Sequence, residues 1–85
     1  MIREDIRLQL PKDAMLFDNP AYDNSIIGVS TNGNIIYNLE NMVNELSVDE
    51  NIFKSQAHEW IEYNTIRALP YMGENAPIIY EELII

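Results

Sequence analysis

The order of patterns along the chain predicts a small α+β domain, a small antiparallel or mixed sheet containing an Asn-Gly hairpin, with two helices packed on one face. Three observations carry this expectation. Asn32-Gly33 stands between the β-rich runs Ser25–Thr31 and Asn34–Tyr37. Leu39, Met42, Val43 and Leu46 fall at i, i+3, i+4 and i+7, one apolar stripe of a helix. After the helical region, Pro77-Ile78-Ile79-Tyr80 reads as a strand, with Pro77 at its first position where a missing N–H is tolerated.

Each element has a local reason. Ile6, Leu8 and Leu10 alternate with Arg7 and Gln9, which predicts a short strand closed by Pro11. Met15-Leu16-Phe17 reads as a second short strand, and Asp18-Asn19-Pro20 as a turn, because Pro20 pushes Asn19 away from the α region. An Asn-Gly pair tolerates positive φ at both turn centres, so Asn32-Gly33 predicts a type I′ hairpin. Asn38 is placed to N-cap a helix from Leu39 to about Leu46. Ser47-Val48-Asp49-Glu50 matches a capping box for a second helix, from about Glu50 to Asn64. Ile52, Phe53, Ala57, Trp60 and Ile61 would be its buried stripe, extended by Asn64. Glu50, Lys54, His58, Glu59 and Glu62 would be its wet side. Helix does not persist through Leu69-Pro70. Met72–Asn75 reads as a turn, and Glu81–Ile85 as an extension of the last strand.

A chain of 85 residues suits a single domain over 1–85, and 47% apolar with 22% charged residues excludes a disordered tail. No apolar run approaches the ~18 residues of a membrane-spanning helix. Met1–Asp5 is of mixed charge and leads into no long apolar stretch, so a signal peptide is not expected. Zero cysteines rule out a disulfide scaffold and fit a reducing, cytoplasmic setting.

The charge balance says more. Fourteen acids face five bases, a net charge of −9. Residues 13–85 alone hold twelve acids and two bases, and no base lies between Lys12 and Lys54. Direct nucleic-acid binding is disfavoured, because that affinity comes from Lys and Arg displacing counterions. Isoleucine occurs thirteen times and asparagine ten times, the pattern of AT-rich coding, yet lysine occurs twice. Positive charge is scarcer than codon bias alone would leave it. An acidic surface favours solubility. It also attracts a basic partner surface.

Catalytic chemistry finds little support. His58-Glu59-Trp60-Ile61-Glu62 has the outline of a zinc-protease helix, but that site needs two His at i and i+4 and this chain has one, so His58 reads as an exposed helix residue paired loosely with Glu62. A Ser–His–acid triad would have to use His58, and no G-x-S-x-G elbow exists for a nucleophile such as Ser30. Gly28, Gly33 and Gly73 are isolated, so no phosphate-cradling loop forms. The acid pairs Asp18/Asp23 and Asp49/Glu50 have oxygen ligands suited to Mg²⁺ or Ca²⁺, but neither follows an EF-hand loop; Asp18 reads as an Asx-turn former. No catalytic residue, metal or cofactor is expected. Arg67 reads as a clamp on a carboxylate or on helix-end carbonyls. Trp60, Tyr63, Tyr71 and Tyr80 read as core or core edge.

Two stretches resemble a known family. Phe17-Asp18-Asn19-Pro20 with Asp23 and Ile26-Ile27-Gly28 is similar to the opening of a family of small phage and mobile-element proteins of low-GC Gram-positive bacteria. The run Ile61-Glu62-Tyr63-Asn64-Thr65-Ile66-Arg67-Ala68-Leu69-Pro70-Tyr71, then Gly73 and Ala76–Ile79, resembles its second signature. The likeness covers roughly residues 15–80; the charged N-terminal extension and the Leu83-Ile84-Ile85 tail depart from it. It implies a small α+β fold and a mobile-element setting, and it brings no activity with it.

The expected function follows from size, charge and setting. It is that of a non-enzymatic, acidic protein-binding module, an inhibitor of a host nucleic-acid-binding or defence protein acting by phosphate mimicry in the manner of anti-CRISPR proteins. The acids off the helical stripes, Glu40, Glu45, Asp49, Glu50, Glu59 and Glu62, would face a protein partner with a basic surface, with no membrane involved. The alternative is a self-assembling or structural protein, a homodimer joined through a sheet edge or the Leu83-Ile84-Ile85 tail.

Overall fold

A computed structural model describes residues 3–83. In chain order these form α1 (Arg3–Gln9), a 3₁₀ turn (Pro20–Ser25), β1 (Ile26–Val29), β2 (Ile35–Asn38), α2 (Leu39–Glu50), α3 (Lys54–Trp60), a π turn (Ile61–Ile66), a second 3₁₀ turn (Leu69–Tyr71) and β3 (Ile78–Tyr80). β2 is the middle strand, antiparallel to β1 and parallel to β3, so the sheet is mixed and the fold class is α+β. A parallel pair cannot be joined by a tight turn, and α2 and α3 supply the crossover between β2 and β3.

The core is built on β2. Ile35 and Tyr37 share one face of the strand and are both fully buried. Leu39, Met42, Val43 and Leu46 of α2 join them as the i, i+3, i+4, i+7 stripe requires. Ala57 and Ile61 close the core from the second helical segment. From the N-terminal side come Ala14, Phe17 and Tyr22. Phe17 meets Tyr37 at 4.6 Å between ring centroids and Tyr22 edge-on at 6.0 Å. The buried Tyr37 hydroxyl accepts the Phe17 N–H at 3.0 Å. α2 leans chiefly on the Pro20–Ser25 turn and on α3.

Several local expectations are overturned. Residues 6–10 are not a strand: Ile6 and Leu10 turn inward from α1 and its C-terminal end while Leu8 stays 86% exposed. Three alternating apolar positions cannot separate period two from an i, i+4 pair, and the intervening Arg, Gln and Leu favour helix. The Arg7 guanidinium donates to the Ala14 carbonyl and fixes the chain beyond Pro11. Met15-Leu16-Phe17 pairs with no strand; the Phe17 N–H goes to a side-chain hydroxyl instead of a ladder.

Ser47–Glu50 is not a capping box. It is the last turn of α2, which runs past Leu46 to Glu50 and ends at Asn51 in the left-handed region (φ 53°). The Ser47 hydroxyl donates to the Ile52 carbonyl at 2.6 Å, so it serves the end of a helix rather than a beginning. α3 therefore starts at Lys54, with the Gln56 side chain accepting the Phe53 N–H at 3.0 Å. At Ile61 the i→i+4 pattern gives way to i→i+5, which shifts the phase of every later side chain. Together these changes leave Ala57 and Ile61 buried, Ile52 half-buried, and Phe53, Trp60 and Asn64 exposed. The expected N-cap of α2 is present: Asn38 Oδ1 accepts the Asn41 N–H at 3.1 Å. Beyond β3, Glu81–Leu83 do not extend the strand, and Ile84 and Ile85 lie outside the described residues.

The hairpin joins β1 to β2, but not through a type I′ turn. The Gly33 N–H donates to the Ser30 carbonyl at 2.9 Å and the Ser30 N–H to the Asn34 carbonyl at 2.8 Å. Gly33 alone in the loop has positive φ (88°), while Asn32 does not, the pattern of a turn followed by one left-handed residue. The Asn34 amide then donates to the carbonyls of Glu74 and Ala76, tying the hairpin to the approach of β3. A Cβ at Gly33 would lie 3.7 Å from the Pro11 ring, an ordinary contact, so its cost is backbone strain and not space. Gly33→Val is expected to lose about 1–2 kcal/mol in denaturant titration and Gly33→Asn clearly less. Equal midpoints for the two variants would refute the assignment.

Candidate functional site

The six acids expected at a binding surface do not share one face. Glu40 lies in the first turn of α2 and lines a concavity of about 300 Å³ with Lys54, His58, Glu81 and Glu82. Glu50, at the opposite end of α2, lines a second concavity of about 310 Å³ beside Trp60. Glu59 and Glu62 border a third, with His58, Tyr63 and Arg67. Glu40, Asp49, Glu50, Glu59 and Glu62 are exposed, and Glu45 is half-buried. Among the described residues, Glu62 meets His58 at 3.8 Å across an i, i+4 step, the loose pair the sequence suggests. Helical periodicity explains the scatter: Glu40 and Glu45 are five residues apart, more than a third of a turn out of phase.

The most built feature of the surface is a groove that sequence reasoning missed. About 490 Å³ in volume, it runs between residues 15–22 and the segment from Trp60 to Met72. Its walls include Leu16, Phe17, Asp18 and Asn19 on one side and Trp60, Asn64 and Thr65 on the other. Asn19 and Trp60 also line the concavity beside Glu50, so the two depressions adjoin on either side of the indole. Trp60 is 56% exposed, not core. Tyr63, Tyr71 and Tyr80 are likewise exposed. Residues 17–19 and residues 64, 65 and 68, from two stretches that the sequence already sets apart, both line this groove, and that coincidence was the available signal.

Local structure explains how the groove is held open. Asn19, not Asp18, forms the turn: its Oδ1 accepts the Ala21 N–H at 3.0 Å, with Pro20 opening the 3₁₀ turn, and the Asp18 side chain stays exposed. On the far wall the π turn rotates Asn64 outward, and its amide donates to the Trp60 carbonyl at 3.0 Å. Such turns inside helices recur at functional sites. Arg67 lies over the Tyr63 ring at 4.9 Å rather than on helix-end carbonyls, a cation–π contact that leaves its position on the outer side of the turn.

The acids of the Asp18/Asp23 pair differ in environment. Asp18 is exposed while Asp23 is buried at 6% exposure. Among the described residues, no three His, Asp or Glu side chains stand close enough to hold a metal ion. Also among the described residues, no helix is long and apolar enough to cross a membrane. No protein-family model, curated protein or solved structure matches the chain.

Tyr22 forms part of the groove's floor and is 3% exposed. Burial pushes its hydroxyl above the ordinary value of 10.0, a hydrogen bond with the Thr65 side chain acts in the opposite sense, and the carboxylates of Asp49 and Glu50 raise it further. Above that ordinary value the unfolded state releases the Tyr22 proton while the fold retains it. Stability therefore falls as pH rises through the alkaline range. Tyr22→Phe is expected to make the alkaline loss shallower in melts at pH 9, 10 and 11, values about the tyrosine titration. A slope identical to that of the parent would contradict the burial of a protonated Tyr22.

Proposed function

We propose that the protein is a non-enzymatic acidic binding module that occupies a basic, nucleic-acid-binding surface on another protein. One observation carries this reading: the carboxylates of Glu40, Asp49, Glu50 and Glu59 are exposed and meet no hydrogen-bond or ion-pair partner among the described residues. A surface whose acids are already paired has little to offer a cationic groove. Here they remain available, on a chain with two bases against twelve acids after residue 12. The groups facing such a partner would be Glu40, Glu45, Asp49, Glu50, Glu59 and Glu62, standing where phosphates bind. The mobile-element setting that the resemblance implies favours a cytoplasmic inhibitor of host defence, anti-CRISPR-like in mode. The scatter of the acids over three concavities supports mimicry of a wrapped backbone more than of a flat strip.

The test is charge reversal. Glu59→Lys with Glu62→Lys should fold normally, because both positions are exposed. The double variant should bind the captured partner about tenfold or more weakly, chiefly through slower association, and added salt should weaken the parent complex steeply. Duplex DNA should displace the protein from that partner. Unchanged affinity, or a partner that DNA does not compete for, rejects the reading.

A second reading, self-assembly, is favoured by the sheet itself. Ile78 and Tyr80 alternate on β3 and remain 40% and 41% exposed, and Leu83 beyond them is 86% exposed. Light scattering at two concentrations decides it. Self-assembly requires a mass above 9.9 kDa that rises with concentration and returns to monomer when residues 83–85 are deleted. A constant monomer mass removes this reading.

A further inference from the structure

The groove around Trp60 combines three properties that together specify an occupant. The indole is half exposed at the junction of two adjoining depressions. Each depression that Trp60 lines has one acid in its lining, Asp18 in the larger and Glu50 in the smaller. Neither depression has a Lys, Arg or His in its lining. An indole face attracts a cation through its quadrupole, and carboxylates lining the same depressions add charge without the protein supplying a counterion. Apolar walls of Leu16, Phe17 and Met72 continue the larger depression, so the site takes an aliphatic stem or a neighbouring apolar side chain beside the charge.

We infer that this groove is the specific anchor for an arginine-bearing segment of a protein partner, with the guanidinium stacked on Trp60 and its charge met by Asp18 and Glu50. The inference rests on the reading of the protein as an acidic binding module and adds which residue of the partner is gripped, and where. Arginine fits better than lysine because its planar group stacks on an aromatic face while its N–H groups still reach carboxylates. The groove would then supply orientation, and the scattered acids long-range attraction. The walls are fixed by backbone features, the Asn19 turn and the π turn, so little ordering is lost on binding.

The experiment uses the full chain and a defined probe, the peptide acetyl-Arg-Leu-Arg-amide, with a citrulline counterpart of equal size and no charge. Binding is followed by amide and indole N–H shifts. The arginine peptide should move the Trp60 indole and Asn64 side-chain signals, and the citrulline peptide should bind about tenfold more weakly. Trp60→Leu, which keeps apolar bulk, and Glu50→Gln should each weaken the arginine peptide by about fivefold, while Glu59→Lys with Glu62→Lys should change it by less than about twofold. Equal affinity for the two peptides, absence of shifts at Trp60, or loss confined to the Glu59/Glu62 variant overturns the anchor. That last result would leave the broader acidic-surface reading standing. Binding that maps to Trp60, but with a natural partner DNA cannot displace, would instead retain the anchor and reject phosphate mimicry.

Discussion

Tyr37 lies fully buried in the central strand, with its ring against Phe17 and its hydroxyl accepting the Phe17 N–H, and this double contact decides where the N-terminal third of the chain can run. Residues 13–19 join no ladder, so they are held by this contact together with the Arg7 hydrogen bond to the Ala14 carbonyl and the burial of Ala14. Phe17 is thereby pinned and Tyr22 packs edge-on against it. The Pro20–Ser25 turn is then pressed onto α2, and the near wall of the Trp60 groove takes its place. A buried hydroxyl is costly unless paired, and here its partner is a backbone group outside any regular element. A polar contact inside an apolar core thus helps fix a segment that secondary structure leaves undetermined.

The second constraint is the change of helical pitch after Trp60. Were the α-helix to continue, Asn64 would keep the phase of Ala57, on the buried side. The π turn instead moves Asn64 outward and leaves Ile61 as the last fully buried position. The far wall of the groove takes its shape from that phase shift, beyond an indole already exposed at the end of α3. The shift also faces Tyr63 and Arg67 away from the core, where they engage each other.

What could be read from the residues follows from the range of the interactions involved. The α2 stripe, the Asn38 cap and the hairpin at Gly33 are set by neighbours within a few positions, and all three are present. The loose His58–Glu62 pair is of the same kind. Ile6–Leu10 was misread because three apolar positions fit two periods. Ser47–Glu50 was misread because Ser-x-x-Glu describes a cap only when the chain is extended at the serine, and the continuing stripe of α2 kept it helical. Trp60 was misread because its burial depended on where the second helix starts, and Asn64 because of a pitch change that no short-range signal announces. Exposure of Glu40, Asp49, Glu50, Glu59 and Glu62 was legible from the stripes, whereas Glu45 is half-buried. The distribution of the acids over three concavities was not legible, since it depends on how α2, α3 and β3 meet.

The acidic surface and the small core act against one another. Like charges at net −9 repel within the compact state, and an 85-residue domain has a limited apolar interior to offset them. A surface with only two lysines therefore carries a standing stability cost, and Arg67, engaged with Tyr63, does little to relieve it. A basic partner would remove the repulsion and stabilise the fold by binding the native state alone. Salt then acts with opposite sign on the two states, screening repulsion in the free protein and weakening attraction in the complex. An acidic surface that served solubility alone would show only the first of these effects. The coexistence of the two is what separates a surface shaped for a cationic partner from one that is merely charged.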